Sequence, residues 1–209
     1  MSDTAIILAG GDEVPVTVLE GLPVGAYVIA ADSGLDLAAK LGIKVDVVIG
    51  DLDSASQAAL DAAKRENIPF QRHPVDKDAT DLTLALAHAR ERAVSSVIVI
   101  GGYGGRIDHF LANASLLAAQ AGLDVEWRTG IGRVHRVNGT LRIHGTPGAT
   151  VSLLSFGGPA RGVRTSGLQW PLLHEDLHPG STRGISNRFT GEWAEIAVAE
   201  GNLLVMIPD

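Results

Sequence analysis

Two rhythms of apolar and polar residues run along this chain of 209 residues. Up to about residue 128, short aliphatic runs rich in β-branched residues alternate with segments whose apolar positions recur at helical spacing. The runs at residues 5–8, 27–31, 45–49, 69–72, 96–100 and 123–127 predict strands. Leu35, Ala38 and Ala39, followed by Gly42 as a C-cap, predict a helix, and further helices are expected over 55–66, 80–92 and 107–120. Strands alternating with helices of this length imply a mostly parallel sheet covered on both faces, a Rossmann-like α/β arrangement of three layers. After about residue 130 the segments shorten and turn signals crowd in. Residues 134–137 and 141–143 flank Asn138-Gly139, which predicts a hairpin. Residues 149–156, 162–164, 193–198 and 203–207 read as further strands, the pattern of a small β-sandwich or barrel. The expected division is an α/β domain over 1–130 and an all-β domain over 131–209.

The stretch Val47-Val48-Ile49-Gly50-Asp51-Leu52-Asp53-Ser54 carries the first chemistry. A buried strand runs into a glycine and then presents Asp51 and Asp53. Two apart in extended chain, these carboxylates point to one side and repel each other unless a cation or a shared proton lies between them. Mg²⁺ suits such a pair, because it takes oxygen ligands and keeps positions open for phosphate. The alternative is a solvated turn in which Ser54 caps the next helix.

Ligands of open parallel sheets collect beyond the carboxyl ends of the strands. At that end the chain places Asp32-Ser33-Gly34, then Asp51 and Asp53, then Asp76-Lys77-Asp78-Ala79-Thr80-Asp81, then Gly101-Gly102-Tyr103-Gly104-Gly105 with Arg106-Ile107-Asp108-His109. Asp78 or Thr80 serves as a helix N-cap and Asp81 suits a first helical turn, yet capping does not need three aspartates, and Lys77 among them suits a phosphate oxygen. The glycine loop lets backbone N–H groups approach phosphate, although it is neither a Walker A sequence nor a dinucleotide fingerprint. Arg106 either holds phosphate through a planar fork or pairs with Asp108; His109 reads as a structural or orienting residue. In the second part Trp170 is either core or a platform for an aromatic or cationic ring, and Ser186 and Asn187 either cap a turn or hydrogen-bond a polar heterocycle.

Composition narrows the classes. A net charge of −7 argues against a nucleic-acid surface. No apolar run is long enough to span a membrane, the acidic start is unlike a signal peptide, and cysteine is absent, so a cytoplasmic protein without disulfides is expected.

Asp32-Ser33-Gly34, Gly50-Asp51-Leu52-Asp53-Ser54, Lys77-Asp78-Ala79-Thr80-Asp81, Gly105-Arg106-Ile107-Asp108-His109 and Ile185-Ser186-Asn187 occur in an order that resembles the thiamine pyrophosphokinase family, as does Gly167-Leu168-Gln169-Trp170-Pro171-Leu172. The resemblance implies an α/β nucleotide-binding domain followed by a β-sandwich, a homodimer with composite active sites, and Mg²⁺-dependent transfer of a pyrophosphoryl group from ATP to thiamine with release of AMP. It implies that Asp51, Asp53 and Asp81 hold metal and phosphate, with Arg106 as a further catalytic group. Asp32, Ser33, Lys77, Asp78, Thr80, Arg106 and Asp108 would bind nucleotide, and Trp170, Ser186 and Asn187 thiamine. Leu52, Ala79 and Arg188 depart from the residues frequent in the family. A phosphohydrolase with a nucleophilic Asp and a non-enzymatic thiamine or nucleotide sensor are the competing readings; Ala55 stands where the former normally has Thr or Val.

Overall fold

The computed structural model describes residues 3–76 and 78–209. It divides into two compact units: residues up to Asn113 together with Trp127–Gly130, and Ala114–Glu126 together with Ile131–Asp209.

In the first unit five strands run parallel: β1 (Thr4–Ala9), β2 (Tyr27–Ala31), β3 (Val47–Gly50), β4 (Phe70–Arg72) and β5 (Ser96–Gly101). Their order in space is β5-β1-β2-β3-β4. The chain therefore steps outward from β1 to β4 and then returns to the opposite flank of β1, which makes the β1/β5 boundary a topological switch point. Both faces of the sheet are apolar, as continuous runs such as Ile6-Ile7-Leu8 and Val47-Val48-Ile49 require. Ile6, Leu8, Val28, Ala30 and Val48 pack with Leu35, Leu37 and Ala38 of α1 (Gly34–Leu41) and Ala59, Leu60 and Ala63 of α2 (Gln57–Arg65). The helix α3 (Asp81–Glu91) packs on β1, β2 and β3 and buries Leu82, Ala85, Leu86 and Ala89. Truncating a buried leucine such as Leu82 or Leu86 to alanine costs about 2–5 kcal/mol. Gly42 ends α1 in the left-handed conformation, as its position predicts. Ser56, not Ser54, caps α2, accepting a hydrogen bond from the Ala59 N–H. A 3-10 turn at Val16–Leu19 is tied down by buried Arg128, whose guanidinium donates to the carbonyls of Val18 (2.6 Å) and Glu20 (2.8 Å).

The helix α4 (Ile107–Ala118) and strand β6 (Asp124–Thr129) are each shared in sequence between the two units. The second unit otherwise holds β7 (Gly132–Val137), β8 (Thr140–His144), β9 (Thr150–Ser155), β10 (Ala160–Ser166), β11 (Leu173–Leu177), β12 (Asn187–Arg188), β13 (Trp193–Ala197) and β14 (Leu203–Pro208). One antiparallel set runs β12-β9-β14-β7 and the other β11-β10-β13-β8. Val137, Val151, Leu153, Leu203 and Val205 of the first set share a core with Ile143, Val163, Leu177 and Ile196 of the second.

The hairpin expected around Asn138-Gly139 does not form. β7 pairs with β14, and β8 pairs with β13. A two-residue type I′ turn needs positive φ at both central residues. Gly139 has φ 74°, and Asn138 is not among the positive-φ residues. The dipeptide thus carries the chain from one antiparallel set to the other. The strands β11 and β12 were not expected: Leu173-His174-Glu175-Asp176-Leu177 is mostly polar and exposed, and β12 is only two residues long.

Candidate functional site

Three loops meet at the switch point. Gly10 and Gly11 follow β1, Asp32 and Ser33 lead from β2 into Gly34 at the start of α1, and Gly101, the last residue of β5, leads into Gly102 to Gly105. Glycine is needed because the backbones touch: a side chain on Gly34 would strike the Leu8 carbonyl, and one on Gly101 the Ala9 carbonyl. The loop after β5 is pinned at successive carbonyls. Gly101 O accepts from the buried Trp127 indole (2.6 Å), Gly102 O from the Asn113 amide (2.8 Å), and Tyr103 O from the Asp12 N–H (2.9 Å). Beside these loops lies a cavity of about 720 Å³ whose walls include Gly11, Asp32, Asp51, Thr80, Asp81 and Arg106.

Its acidic side is assembled from β2, β3 and α3. Asp32, Asp51 and Asp53 each bring a carboxylate oxygen within 4.8 Å of the others. Asp81 stands close by, since a Cβ on Gly50 would lie 2.9 Å from its Oδ1 and 3.2 Å from Asp32 Cβ. Asp53 is pushed above the ordinary carboxylate range, chiefly by its hydrogen bond to the Asp51 side chain and by the charge of Asp51, with further repulsion from Asp32 and Asp81. Asp32 is 8% exposed; one oxygen accepts from the Ser54 hydroxyl and the other, Oδ1, is buried with no partner. An orphaned carboxylate oxygen among mutually repelling carboxylates is the donor set that a hard divalent cation satisfies. The backbone is bent to build it: Asp32 (φ 47°) and Leu52 (φ 68°) both lie in the left-handed region.

The remaining sequence-derived residues fall into three groups. Ser33 lies against Gly10 on the cavity wall, and Thr80 caps α3, accepting from the Thr83 N–H at 3.3 Å, which places Asp81 in the first turn. Asp78 is exposed and lies outside the cavity wall, and Lys77 lies outside the described residues. Arg106 and Asp108 pair with each other through two contacts, Nε to Oδ1 at 3.1 Å and Nη2 to Oδ2 at 2.5 Å. The pair is solvent-exposed, and the guanidinium holds Asp108 down to about 2. His109 is exposed on the cavity wall.

In the second unit, Trp170 is 48% exposed, so it is not a core residue. Asn187 is buried beside it. Trp170 N donates to Asn187 Oδ1 (3.0 Å), and Asn187 Nδ2 donates to Trp170 O (2.7 Å). Ser186 is exposed, with φ 58°.

Sequence reasoning passed over three contributors. Ser54 read as a helix cap, but its hydroxyl serves Asp32. Gly10 and Gly11 read as a strand end, and together with Asp12 they form a cavity wall. Asn113 sits two turns into α4, where nothing local marks it; only its bond to Gly102 does. A pair of glycines directly after the first strand was the available signal for the second of these.

Carboxylates and glycine loops converging at a parallel-sheet switch point, in a chain that continues into a separate β unit, define a class of α/β proteins with an acidic cavity at the carboxyl ends of the strands. The family within that class follows from comparison: "Thiamin pyrophosphokinase, catalytic domain" matches residues 24–126, and "Thiamin pyrophosphokinase, vitamin B1 binding domain" matches residues 136–203. The chain belongs to the thiamine pyrophosphokinase family. It is 27% identical over 184 residues to a thiamine pyrophosphokinase of Bacillus subtilis, covering 86% of this chain and 85% of that protein. Thiamine pyrophosphokinase 2 of Arabidopsis thaliana is 26% identical over 157 residues, which span 69% of this chain and 58% of that one. The fold agrees with the crystal structure of a Bacillus subtilis thiamine pyrophosphokinase, with a TM-score of 0.86 at 23% identity and 98% of each chain covered.

Proposed function

We propose that this chain transfers a pyrophosphoryl group from ATP to the hydroxyl of thiamine, releasing thiamine diphosphate and AMP. The observation that carries the reading is the carboxylate cluster beside the glycine loops, whose repulsion is written into the raised Asp53 and whose buried Asp32 oxygen lacks a partner. Asp32, Asp51 and Asp53 would hold Mg²⁺, with Asp81 at its phosphate side. When bound, the ion supplies charge neutralisation for the transferred phosphates. The glycine loop and the α4 N-terminus offer N–H groups to the polyphosphate, and Ser33 and Thr80 line its cavity. Arg106, now paired with Asp108, exchanges that carboxylate for phosphate oxygens; the same planar fork serves both. Such transfer rests on positioning and electrostatics more than on a strong nucleophile.

Residues 1–130 are proposed as the nucleotide-handling part, a Rossmann-like layered domain, and 131–209 as the thiamine-handling part. The shared core of its two antiparallel sets supports reading the latter as a β-sandwich. Trp170 and Ser186, with Asn187, form the proposed thiamine subsite. The family resemblance favours a homodimer in which each chain's thiamine subsite serves its partner's carboxylates.

A coupled assay for AMP with ATP, Mg²⁺ and thiamine tests the proposal. AMP release that requires all three is expected. Thiamine binding without AMP release would replace the enzyme with a sensor, and phosphate release without thiamine would replace it with a phosphohydrolase.

A further inference from the structure

We propose that Asn187 is a positioning residue for Trp170, acting on the backbone that carries the indole rather than on the substrate. This rests on the reading of Trp170 as part of the thiamine subsite. The segment around Trp170 runs antiparallel to the segment around Asn187. Gln169 N donates to Arg188 O (2.9 Å), Thr190 N donates to Gly167 O (2.9 Å), and Leu168 bridges Phe189. One residue further on, the main chain of Asn187 pairs instead with Val151 of β9. The next rung towards Trp170 is supplied by a side chain. Asn187 Oδ1 accepts from Trp170 N (3.0 Å) while Nδ2 donates to Trp170 O (2.7 Å), the two bonds that a paired peptide would have made. A second N–H, that of Arg188, also reaches Oδ1 at 2.9 Å.

The Asn187 carboxamide oxygen has no capacity left for a ligand. A carboxamide oxygen has two lone pairs, and both are taken. The residue is 2% exposed, so its amide is closed to a ligand. Ser186 is the reverse: it is exposed, its φ of 58° turns the chain outward, and its N–H is tied to Ser152 Oγ at 3.0 Å. The far side of Trp170 is braced as well. Pro171 O accepts from Arg183 Nη2 (3.2 Å), and Arg183 is itself forked onto Glu175 through two bonds of 3.0 Å. A half-exposed indole on a backbone held from both sides is a preformed platform, which spares an incoming ring the entropy of ordering it. The ring then meets the indole face and the Ser186 hydroxyl, while Asn187 acts through the Trp170 peptide.

The test uses the full-length protein with Asn187→Asp, which keeps the acceptor oxygen and turns the donor to Trp170 O into a repelling oxygen, and Asn187→Ser as a smaller second variant. Removing one buried hydrogen bond of this kind is worth roughly a tenfold change, so the apparent KM for thiamine should rise about tenfold while that for ATP stays within about twofold. The protein contains three tryptophans, and labelling with 5-fluorotryptophan gives each a ¹⁹F resonance, assigned through Trp170→Phe. In ligand-free variants the Trp170 resonance should shift or broaden while those of Trp127 and Trp193 hold. An unchanged Trp170 resonance together with a raised thiamine KM would mean direct contact with substrate and overturn the proposal. Parallel loss of both KM values with a lowered melting temperature would reduce Asn187 to a structural role and overturn it too. If wild-type protein turns over no thiamine, the proposed function fails, and the ligand-free ¹⁹F comparison still decides the positioning role.

Discussion

Leu52 shows what the acidic turn demands of the chain. It holds φ at 68°, a conformation costing roughly 1–2 kcal/mol for an L-residue with a Cβ, yet its side chain is buried in the core beneath α1 and α2. The two effects oppose each other. Leu52→Ala loses the packing and keeps the strain, so urea unfolding should report a loss of about 2–5 kcal/mol. Leu52→Gly loses the same packing but relaxes the strain, and it should be no less stable than the alanine variant despite glycine's greater freedom when unfolded. The carboxylates on either side make a second prediction. Asp53→Asn removes a charge that its neighbours repel, so in metal-free buffer the variant should melt no lower than wild type, whereas Mg²⁺ should raise the melting temperature of wild type only. Turnover of Asp51→Asn and Asp53→Asn should fall by at least about a hundredfold, the scale of removing one preorganised electrostatic contact. Wild-type activity in both would undo the assignment of the cluster. Asp51 and Asp53 were legible because spacing alone puts two like charges together. That Asp32 stands at the same sheet edge was legible too; that its carboxylate comes within 4.8 Å of theirs was not, because it depends on β2 and β3 being neighbours with their ends level.

At the scale of elements, α3 joins the site to the sheet. Its first turn offers Asp81, and its last turns meet the start of β2, where Tyr27 stacks on His88 at 5.9 Å and Arg92 lies 3.6 Å from the Tyr27 ring. Burial, assisted by Arg92, lowers the His88 pKa below its ordinary 6.5. A histidine depressed in the folded state binds fewer protons there than when unfolded, so its contribution to stability is present above 6.5 and lost as pH falls through that value. Between about pH 7.5 and about pH 5.5 the wild type should therefore lose more melting temperature than His88→Gln; equal losses would show that His88 titrates as if free. Periodicity revealed nearly every element of the first unit, because strands buried on both faces and helices with one apolar face leave distinct patterns. It failed at Asn138-Gly139, since a turn dipeptide reports local conformation and not which strand its neighbours choose. It also missed β11, whose side chains are mostly exposed and carry no alternation to read.

For the whole molecule, the proposed pairing of chains has a direct consequence. Mixing inactive Asp53→Asn chains with inactive Trp170→Ala chains should form heterodimers in which one of two sites keeps both residues, restoring up to about half of the wild-type activity of each such dimer. No recovery after verified subunit exchange would mean that a site is built from one chain. Nothing in a single sequence displays such an assembly, because the residues concerned sit in parts of the chain that periodicity treats separately. The order in which strands reach their places is, by contrast, fixed by topology. β14 fills the gap between β9 and β7, although β10 to β13 intervene in the chain. On a ribosome, β7 and β9 therefore emerge long before the strand that separates them, each with an open edge of unpaired N–H and C=O groups. A nascent chain paused anywhere between β9 and β14 is a pair of sticky templates, and protection of those edges until Leu203 to Pro208 arrive becomes a matter of translation speed and chaperone timing.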